Sequence, residues 1–556
     1  MPVVCQRQNP VINHQILSIV LILIVSFVSH AINVQVTATG GSSGPGCGST
    51  VSNACGSLTD AWSVCQSNSS EPCNMYLQPG RYAGTNNAAL DFSTAVVSIT
   101  GFDTSGATIL DGEGIQHGFS GAGSFTLDGL VVQNYINSAL TWNPTISYSL
   151  LEVSNCTFVG NQGSYGGALS LQPIASSVAA VVNASFIGNT VSRGGGAIYA
   201  RAPTYSSTFT LKIGDHAQFV SNIAAVSGFE GGGAIYASGS ADSSTITLMI
   251  GNNAQFVSNT VGDGKGSVII ADAYGSSATI TLTIGDNAHF VDNTAGCNGA
   301  IYVSAVSLHS TITLMIGDNA QFMNNIAAVS GTSFGYGGAI YADATGRYAT
   351  ITLTIGNNGH FVNNIAAVSG PGYGGAICAD ATGRYATITL TIGNNGHFVN
   401  NTAAVSRTGY GGAIYAYVSG FASKITFTVA DNAQFMNNTA AVSQIGYGGA
   451  IEAYGNGEYS TITLTIEDNA QFVGNIAAVS GNGQGGMIYA LAPAHSSTIT
   501  LTIGDYAQFV SNIAAESGNG RGGVIYAEAY GQPSFITLTL GDHAQFVNNT
   551  AAVSGE

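Results

Sequence analysis

Polar and apolar residues alternate in short blocks that recur along most of the chain. In residues 460–466, Ile462, Leu464 and Ile466 alternate with polar residues, and this period of two predicts a half-buried strand rich in β-branched residues. The block Gly-Gly-Ala-Ile-Tyr-Ala predicts a second short strand. The block Ala-Gln-Phe-Val-Asn-Asn predicts a third, with its Phe pointing inward. No part of the unit has the period of a helix.

The unit repeats. Phe-x-x-Asn occurs twelve times between Phe158 and Asn549, and from Phe361 onward the copies lie 37 residues apart. The distance from Gly-Gly to the next Phe is nearly constant, whereas the distance from Asn to the next Gly-Gly varies from 5 to 12 residues, which marks a loop. We therefore predict an all-β fold, a right-handed parallel β-helix with one three-strand coil per repeat. Two coils per repeat is the alternative.

Stacked coils would place like residues on like residues. The Phe column would form an aromatic spine in the core, where each buried ring contributes about 1.5–3 kcal/mol. The Asn column is expected to hydrogen-bond along the axis, amide to amide and amide to backbone, and so to satisfy the turn.

The chain divides into three parts. Residues 1–31 are predicted to be a signal peptide, because a 13-residue apolar run from Ile16 to Val28 follows Arg7, and small residues precede a cleavage point after Ala31. An uncleaved anchor is the alternative. Residues 32–154 are predicted to hold irregular coils and a short capping helix that begins after Ser57, and residues 155–556 the regular repeats. The last coil is expected to be open or covered, so end-to-end self-association is a further expectation.

Secretion agrees with the cysteines and sequons. Four cysteines fall within 27 residues and predict two disulfides whose pairing stays open: Cys47, Cys55, Cys65 and Cys73. The remaining cysteines of the mature chain are expected to be isolated thiols. Asn68, Asn155 and Asn183 are candidate glycosylation sites in Asn-x-Ser/Thr sequons.

Charge narrows the choice of partners. The formal net charge is −17 and charged residues make up only 7% of the chain, without a Lys/Arg cluster. This composition argues against nucleic acid as a partner. We expect an extracellular glycan or protein surface instead, with membrane contact only through an uncleaved leader.

Two resemblances follow from these motifs. The pairing of Gly337-Gly338-Ala339-Ile340 with Phe-x-x-Asn resembles the repeat of the polymorphic outer-membrane proteins of chlamydiae, which implies a surface adhesin with a β-helical passenger domain. The segment around Cys47-Gly48 and Cys55-Gly56-Ser57-Leu58 resembles secreted pectin-lyase-like proteins of eukaryotic microbes. That resemblance implies a β-helix and a secretory route rather than a lyase activity.

Catalysis finds little support in the sequence. Polysaccharide cleavage by acid–base chemistry needs clustered carboxylates, and of the polygalacturonase-type motifs only Gln116-His117-Gly118 is present. We therefore predict no enzyme activity, no catalytic residues and no cofactor. Calcium could bridge a column of acids that follows the threonine strands: Asp431, Asp468, Asp505 and Asp542. The alternative is that these acids are turn residues.

Two outward columns are candidate binding faces. Threonine at every second position resembles the Thr-x-Thr array of insect antifreeze proteins, although β-propensity alone also favours threonine there. Tyrosines at coil spacing are expected to point outward, where they could stack on sugars or dock a protein: Tyr341, Tyr415, Tyr489 and Tyr526.

The combined prediction is a non-enzymatic β-helix that is secreted or held at the cell surface and serves in adhesion or structural display. Loops such as 368–373 and 405–410 would emerge along one edge and carry specificity. The alternatives are a carbohydrate-binding or carbohydrate-active protein and, third, an ice-binding protein.

Overall fold

The strands of the chain form three long sheets in which every pairing is parallel. The computed structural model describes residues 31–554, except residue 45 and residues 68–70, 103–107, 226–227, 263 and 330–333. In the regular repeats each coil contributes one strand to each sheet, and each strand pairs in register with its counterpart in the next coil, as Ile388 does with Ile425. The predicted parallel β-helix, with one three-strand coil per repeat, is confirmed.

The threonine sheet has sixteen strands in the order of the coils. Its strands are Ile32–Val36, Cys73–Leu77, Val97–Gly101, Phe125–Asp128, Leu150–Ser154, Ser177–Val182, Thr208–Ile213, Thr245–Ile250, Thr279–Ile284, Thr311–Ile316, Thr350–Ile355, Thr387–Ile392, Lys424–Val429, Thr461–Ile466, Thr498–Ile503 and Phe535–Leu540.

The phenylalanine sheet has fifteen strands. They are Gly80–Ala83, Thr108–Asp111, Val131–Gln133, Thr157–Val159, Ser185–Ile187, Gln218–Val220, Gln255–Val257, His289–Val291, Gln321–Met323, His360–Val362, His397–Val399, Gln434–Met436, Gln471–Val473, Gln508–Val510 and Gln545–Val547.

The tyrosine sheet, built from the Gly-Gly-Ala-Ile blocks, has thirteen strands. They are His117–Gly121, Ile136–Trp142, Leu169–Leu171, Ile198–Ala202, Gly228–Gly239, Gly264–Ala273, Ile301–Ala305, Ile340–Ala344, Ile377–Ala381, Ile414–Val418, Ile451–Gly455, Ile488–Ala492 and Ile525–Ala529.

The loops between the phenylalanine and tyrosine sheets are themselves paired from coil to coil, which the sequence did not predict. A four-stranded ladder contains Gln162–Tyr165, Thr190–Gly194, Ile223–Ala224 and Thr260–Val261. A seven-stranded alanine ladder contains Ile326–Ala328, Ile365–Ala367, Thr402–Ala404, Thr439–Ala441, Ile476–Ala478, Ile513–Ser517 and Thr550–Ser554. A six-stranded Gly-Tyr ladder contains Gly335–Tyr336, Gly372–Tyr373, Gly409–Tyr410, Gly446–Tyr447, Gly483–Gln484 and Gly520–Arg521.

The core runs along the axis and contains one inward residue type per column. In Thr461–Ile466 the burial alternates, with Ile462, Leu464 and Ile466 buried and the threonines half-exposed. The Phe rings of successive Phe-x-x-Asn motifs stack with centroids 4.6–5.4 Å apart and planes within 16° of parallel. The predicted aromatic spine is therefore present from Phe158 to Phe546.

The asparagines of the same motif form a buried amide ladder. Asn401 Nδ2 donates to Asn438 Oδ1 over 3.0 Å, and the Asn401 backbone N–H donates to the same oxygen over 3.0 Å. Asn438 Nδ2 also donates to the backbone carbonyl of Phe398, over 2.8 Å. The pattern recurs from Asn161 to Asn549, so the predicted bonds along the axis, amide to amide and amide to backbone, are both confirmed.

The predicted capping helix spans Leu58–Gln66 and lies at the N-terminal end of the coil stack. Ser57 is its N-cap, and its Oγ accepts from the backbone N–H of Asp60 over 3.1 Å. Leu58, Ala61 and Cys65 are buried, while the ring of Trp62 packs edge-on against Phe92. Two short 3-10 helices, Val51–Asn53 and Thr85–Asn87, flank it.

Two disulfides close this end of the molecule, joining Cys47 to Cys55 and Cys65 to Cys73. This settles the pairing that the sequence left open. Of the predicted signal peptide, residues 1–31, all but Ala31 lie outside the described residues. Within the part of the chain that is described, no helix has the length and apolar character needed to cross a membrane.

Candidate functional site

The tyrosine column does not form the exposed face that we predicted from the sequence. Tyr341, Tyr415 and Tyr489 are only 5–6% exposed, and Tyr526 is half-buried. Their side chains point away from the central core, as expected for the residue after Ile in a strand, but they are covered. The cover comes from the loops, because each loop folds back across the outer side of the tyrosine sheet.

A second set of tyrosines provides this cover. Each precedes a Gly-Gly pair and lies in the Gly-Tyr ladder, and the rings of Tyr373 and Tyr410 stack with centroids 4.7 Å apart. The two sets touch: Tyr336 stacks on Tyr341 at 4.9 Å, and Tyr447 packs on Tyr489 at 4.9 Å. Burying these rings on both sides of the gap stabilises the loops against the sheet.

The two sets do not close completely, and between them lies a cavity of about 230 Å³, which we call the tyrosine cleft. Two smaller residues, Cys378 and Glu452, occupy tyrosine positions of the column beside it, since Cys378 pairs with Tyr341 and Glu452 with Tyr415. The cleft is lined by Tyr336, Tyr373, Asp380, Tyr410, Tyr415, Tyr417 and Tyr454.

Two acids in or beside the tyrosine cleft each have one buried carboxyl oxygen without a hydrogen-bond partner among the described residues. Glu452 is 1% exposed, and its Oε2 has no hydrogen-bond partner in the described part of the protein. Asp380 lines the cleft, and its Oδ1 is likewise buried and unpartnered there. Burial raises the pKa of Glu452 well above its ordinary value. Burial, and then the charge of Asp343, does the same to the pKa of Asp380.

The thiol beside the cleft is not suited to nucleophilic chemistry. Cys378 is fully buried and carries no disulfide. Burial, followed by the charges of Asp380 and Asp343, raises the pKa of the Cys378 thiol well above its ordinary value. Because the thiolate is the reactive form, the thiol stays inert near neutral pH. Cys156 and Cys297 carry no disulfide either.

The acids that follow the threonine strands bond to the backbone of neighbouring coils. Asp468 Oδ1 accepts from the backbone N–H of Asp505 over 2.8 Å, and Asp505 Oδ1 accepts from that of Asp542 over 2.7 Å. Asn357 makes the same bond to Asn394 over 3.0 Å. Within the described residues, no group of three or more His, Cys, Asp or Glu side chains could hold a metal ion. Calcium binding by Asp431, Asp468, Asp505 and Asp542 stays a prediction.

The outward threonines form a regular array. One column, in which each residue pairs in register with the next, contains Thr210, Thr247, Thr281, Thr313, Thr352, Thr389, Thr426, Thr463, Thr500 and Thr537. The adjacent column is interrupted by Met249 and Met315, which are exposed.

Two of the three candidate glycosylation sites are accessible. Asn155 and Asn183 are exposed, and Asn183 Nδ2 donates to Asn155 Oδ1 over 2.8 Å. A glycan on Asn183 would replace this bond. Asn68 lies outside the described residues.

A shallow groove near the N-terminal end contains the ion pairs found among the described residues. Arg81 Nε lies 2.9 Å from Asp111 Oδ2, and Arg81 Nη2 lies 3.4 Å from Glu113 Oε1. Burial alone would raise the pKa of Asp111, but hydrogen bonds from the Glu113 backbone, Gln133, Arg81 and Asn134 outweigh it and lower the pKa to about 2. Asp111 is thus held ionised and cannot serve as a general acid near neutral pH.

The motifs of the repeat match a known family. The family model of the Chlamydia polymorphic membrane protein repeat matches residues 183–201 and 395–417. Each matched segment contains one Phe-x-x-Asn followed by one Gly-Gly-Ala-Ile. The resemblance that rests on these motifs is therefore confirmed. No curated protein matches the chain.

Two solved structures are similar to the chain at low identity. A PL6 alginate lyase in complex with a trisaccharide has 13% identity and a TM-score of 0.27, over 79% of this chain and 87% of that one. The A-module of a mannuronan C-5 epimerase from Azotobacter vinelandii has 9% identity and a TM-score of 0.19, over 89% of this chain and 94% of that one. These values carry no conclusion about activity.

Sequence reasoning missed the tyrosine cleft, although two signals were present. Tyrosine directly precedes Gly-Gly in five repeats, at Tyr165, Tyr336, Tyr373, Tyr410 and Tyr447. A glutamate occupies the tyrosine position at Glu452, where a charged residue breaks an otherwise aromatic column. Together they indicate a second aromatic layer with an acid inside it.

Proposed function

We propose that the chain is a non-enzymatic β-helix protein, secreted or held at the cell surface, that serves in adhesion or structural display. The observation that carries the proposal is the contrast between a repeated scaffold and variable loop tips. Along the loop edge the exposed residues include Phe334, Arg407, Ile445 and Asn482, which differ in size and charge. Loop tips of this kind present different side chains at each coil, at a regular spacing along the axis.

The internal ladders make the molecule suitable for display. The Phe spine and the Asn ladder run through the coils without a break, and the loops are paired as well. In a stacked solenoid each repeat contacts its neighbours, so the surface positions keep a regular separation of about 4.8 Å per coil. A rigid rod holds its loop tips in a fixed row, which favours multivalent contact with a partner surface.

The proposed location has separate support. The matched repeat belongs to a family described as polymorphic membrane proteins. The two N-terminal disulfides are typical of an oxidising, extracellular compartment. The predicted leader and the exposed sequons at Asn155 and Asn183 agree with secretion.

Carbohydrate processing is the alternative, and the Arg81 groove is the place where charged side chains gather. A hydrolase of this kind needs one carboxyl that holds a proton and one that is ionised. Asp111 is held ionised by four hydrogen-bonding groups. Asp111 therefore cannot be the proton-holding carboxyl, and its hydrogen bonds favour a structural role.

The test is binding of the full secreted chain to an oligosaccharide array and to immobilised extracellular-matrix proteins. We expect retention on at least one surface without new reducing ends or unsaturated products. The double variant Arg407→Ser/Ile445→Ser should weaken retention about tenfold, and Thr428→Ser on the threonine sheet is the matched control. Release of product would overturn the non-enzymatic assignment, and equal loss in the control would overturn the role of the loop edge.

Ice binding is a second candidate, favoured only by the ten-residue threonine column. The column repeats at the strand spacing of about 4.8 Å. Thermal hysteresis with ice shaping is the result this candidate predicts. Freezing without either effect would dispose of it, and the threonines would then be explained by β-propensity alone.

A further inference from the structure

One acid, Asp380, lines the tyrosine cleft and another, Glu452, lies beside it, and each has a buried carboxyl oxygen without a hydrogen-bond partner among the described residues. At the Glu452 position the preceding and following coils have Tyr415 and Tyr489. A tyrosine there would continue the buried column, whereas a buried carboxyl without a hydrogen bond costs about 1–3 kcal/mol even when neutral. The sequence thus has a destabilising residue at a place where a cavity adjoins the column.

The second acid lies at the same cavity. Asp380 pairs with Tyr417 on the next strand, and Tyr417 pairs with Tyr454 on the strand after that. Glu452 lies on this same strand, two residues before Tyr454. Asp380 and Glu452 are therefore two strands apart, or roughly 10 Å along the axis. The Glu452 carboxyl interacts electrostatically with Tyr373, Tyr410 and Tyr415, which places it beside the cleft.

The chemistry of the lining favours a cationic ligand. The lining contains tyrosines and Asp380 but no Lys, Arg or His. A positive ligand would supply the partner that one carboxyl oxygen of each acid lacks, and tyrosine hydroxyl oxygens at the cleft can accept hydrogen bonds from its ammonium groups. The volume of about 230 Å³ suits a small molecule rather than a folded partner.

We propose that the tyrosine cleft binds a small linear polyamine, an aliphatic chain with ammonium groups at or near its ends. One ammonium group would bond to Asp380 and another to Glu452, and the chain between them would lie along the tyrosines. This proposal goes beyond adhesion and does not depend on it, because it concerns the inner side of the loops rather than their tips.

A sugar fits the cleft less well. Successive Gly-Tyr rings stack on each other along the axis, with planes within 12° of parallel for Tyr336, Tyr373, Tyr410 and Tyr447. Their faces are covered by neighbouring rings, so the cleft presents ring edges and hydroxyl groups. Stacking of a sugar ring needs an open aromatic face. A neutral oligosaccharide is therefore an outcome that would count against the proposal.

The experiment is isothermal titration of the full chain with spermidine at fixed pH and moderate salt. We expect one spermidine per chain, and at least tenfold weaker binding for both Glu452→Gln and Asp380→Asn. Glu458→Gln is the matched control, because Glu458 lies in the same coil but is exposed, and its affinity should be unchanged. N1,N8-diacetylspermidine, which lacks the terminal charges, should bind at least tenfold more weakly than spermidine.

A further variant separates ligand binding from folding. Glu452→Tyr restores the residue found in the neighbouring coils, so it should keep or raise the melting temperature and abolish spermidine binding. The proposal is overturned if spermidine binds Glu452→Tyr as tightly as the natural chain, if Glu458→Gln weakens binding equally, or if the natural chain binds only a neutral oligosaccharide.

Discussion

At the scale of single residues, Glu452 is in conflict with its surroundings. It is buried in a column of tyrosines and its Oε2 lacks a partner, while the asparagines of the core, which are also buried and polar, are bonded on every side. Burying a polar group is tolerated where the group is satisfied and costly where it is not. The difference marks Asn438 as structural, whereas the role of Glu452 rests on the proposed polyamine binding.

The pH dependence of stability should reveal Glu452. Burial raises its pKa in the folded state, so its contribution is fully present below the pKa of the unfolded chain and is lost as pH rises toward the folded value. Relative to Glu452→Gln, the natural chain should lose up to about 1.4 kcal/mol per pH unit between roughly pH 5 and the folded pKa. Denaturant unfolding of both chains across this window measures the difference.

The tyrosines around Glu452 do not titrate in this pH window. The titratable groups that face it are Tyr415, Tyr454 and Tyr489 from the tyrosine sheet, and Tyr373, Tyr410 and Tyr447 from the loops. Burial raises the pKa of every one of these phenols, so they stay neutral in the window. Parallel stability curves for the two chains would contradict the account.

The acids after the threonine strands should tolerate neutral replacement. Asp468→Asn keeps the oxygen that accepts the Asp505 backbone N–H, and Asn357 already makes this bond in another coil. We expect the free energy of unfolding to change by less than about 0.5 kcal/mol. Thermal unfolding with and without a chelator is the companion measurement. A fall in the melting temperature on chelation, lost in Asp468→Asn, would establish calcium bridging instead.

At the scale of elements, each coil is held by two internal columns of different chemistry. The Phe spine contributes apolar burial, and the Asn ladder satisfies backbone groups at the turn into the loop. Because neither column is interrupted between Phe158 and Asn549, a defect in one coil should be felt mainly by the adjacent coils.

Removing one side chain from either column should therefore strongly lower the free energy of unfolding. Phe398→Ala leaves a cavity in the spine and should cost about 3–5 kcal/mol. Asn438→Ala leaves the Asn401 N–H groups and the Phe398 carbonyl without hydrogen-bond partners. It should lower the free energy of unfolding by about 3 kcal/mol or more. Denaturant unfolding measures both. Asn437→Ala is the control, since Asn437 is exposed beside Asn438, and a loss as large as that of Asn438→Ala would contradict the ladder.

The three long strands of each coil could be predicted because each carries its own pattern. Thr461–Ile466 alternates strictly, and the Phe of Gln471–Val473 recurs in every coil from Phe158 onward. The loop ladders could not be predicted, because a strand such as Gly372–Tyr373 is too short to show a period. Once these ladders were missed, the tyrosine column was placed in solvent and the cleft behind the loops stayed hidden.

At the scale of the whole molecule, the β-helix is one rod whose two sides differ in structure and in proposed function. The threonine sheet is regular and outward-facing, whereas the loop edge varies from coil to coil and encloses the tyrosine cleft. Display at the loop tips and polyamine binding behind them can succeed or fail independently. Both depend on coils that stack in register.

Register is tested most directly by cysteine pairing across adjacent coils. Thr352 and Thr389 are partners in the threonine sheet, with their Cα atoms about 4.8 Å apart. Thr391 is offset from this register by two residues, so its Cα atom is roughly 8 Å from that of Thr352, which is too far for a disulfide. After mild oxidation, mass spectrometry of digests should find the disulfide in Thr352→Cys/Thr389→Cys and not in Thr352→Cys/Thr391→Cys. A crosslink in the offset pair alone would contradict the in-register β-helix.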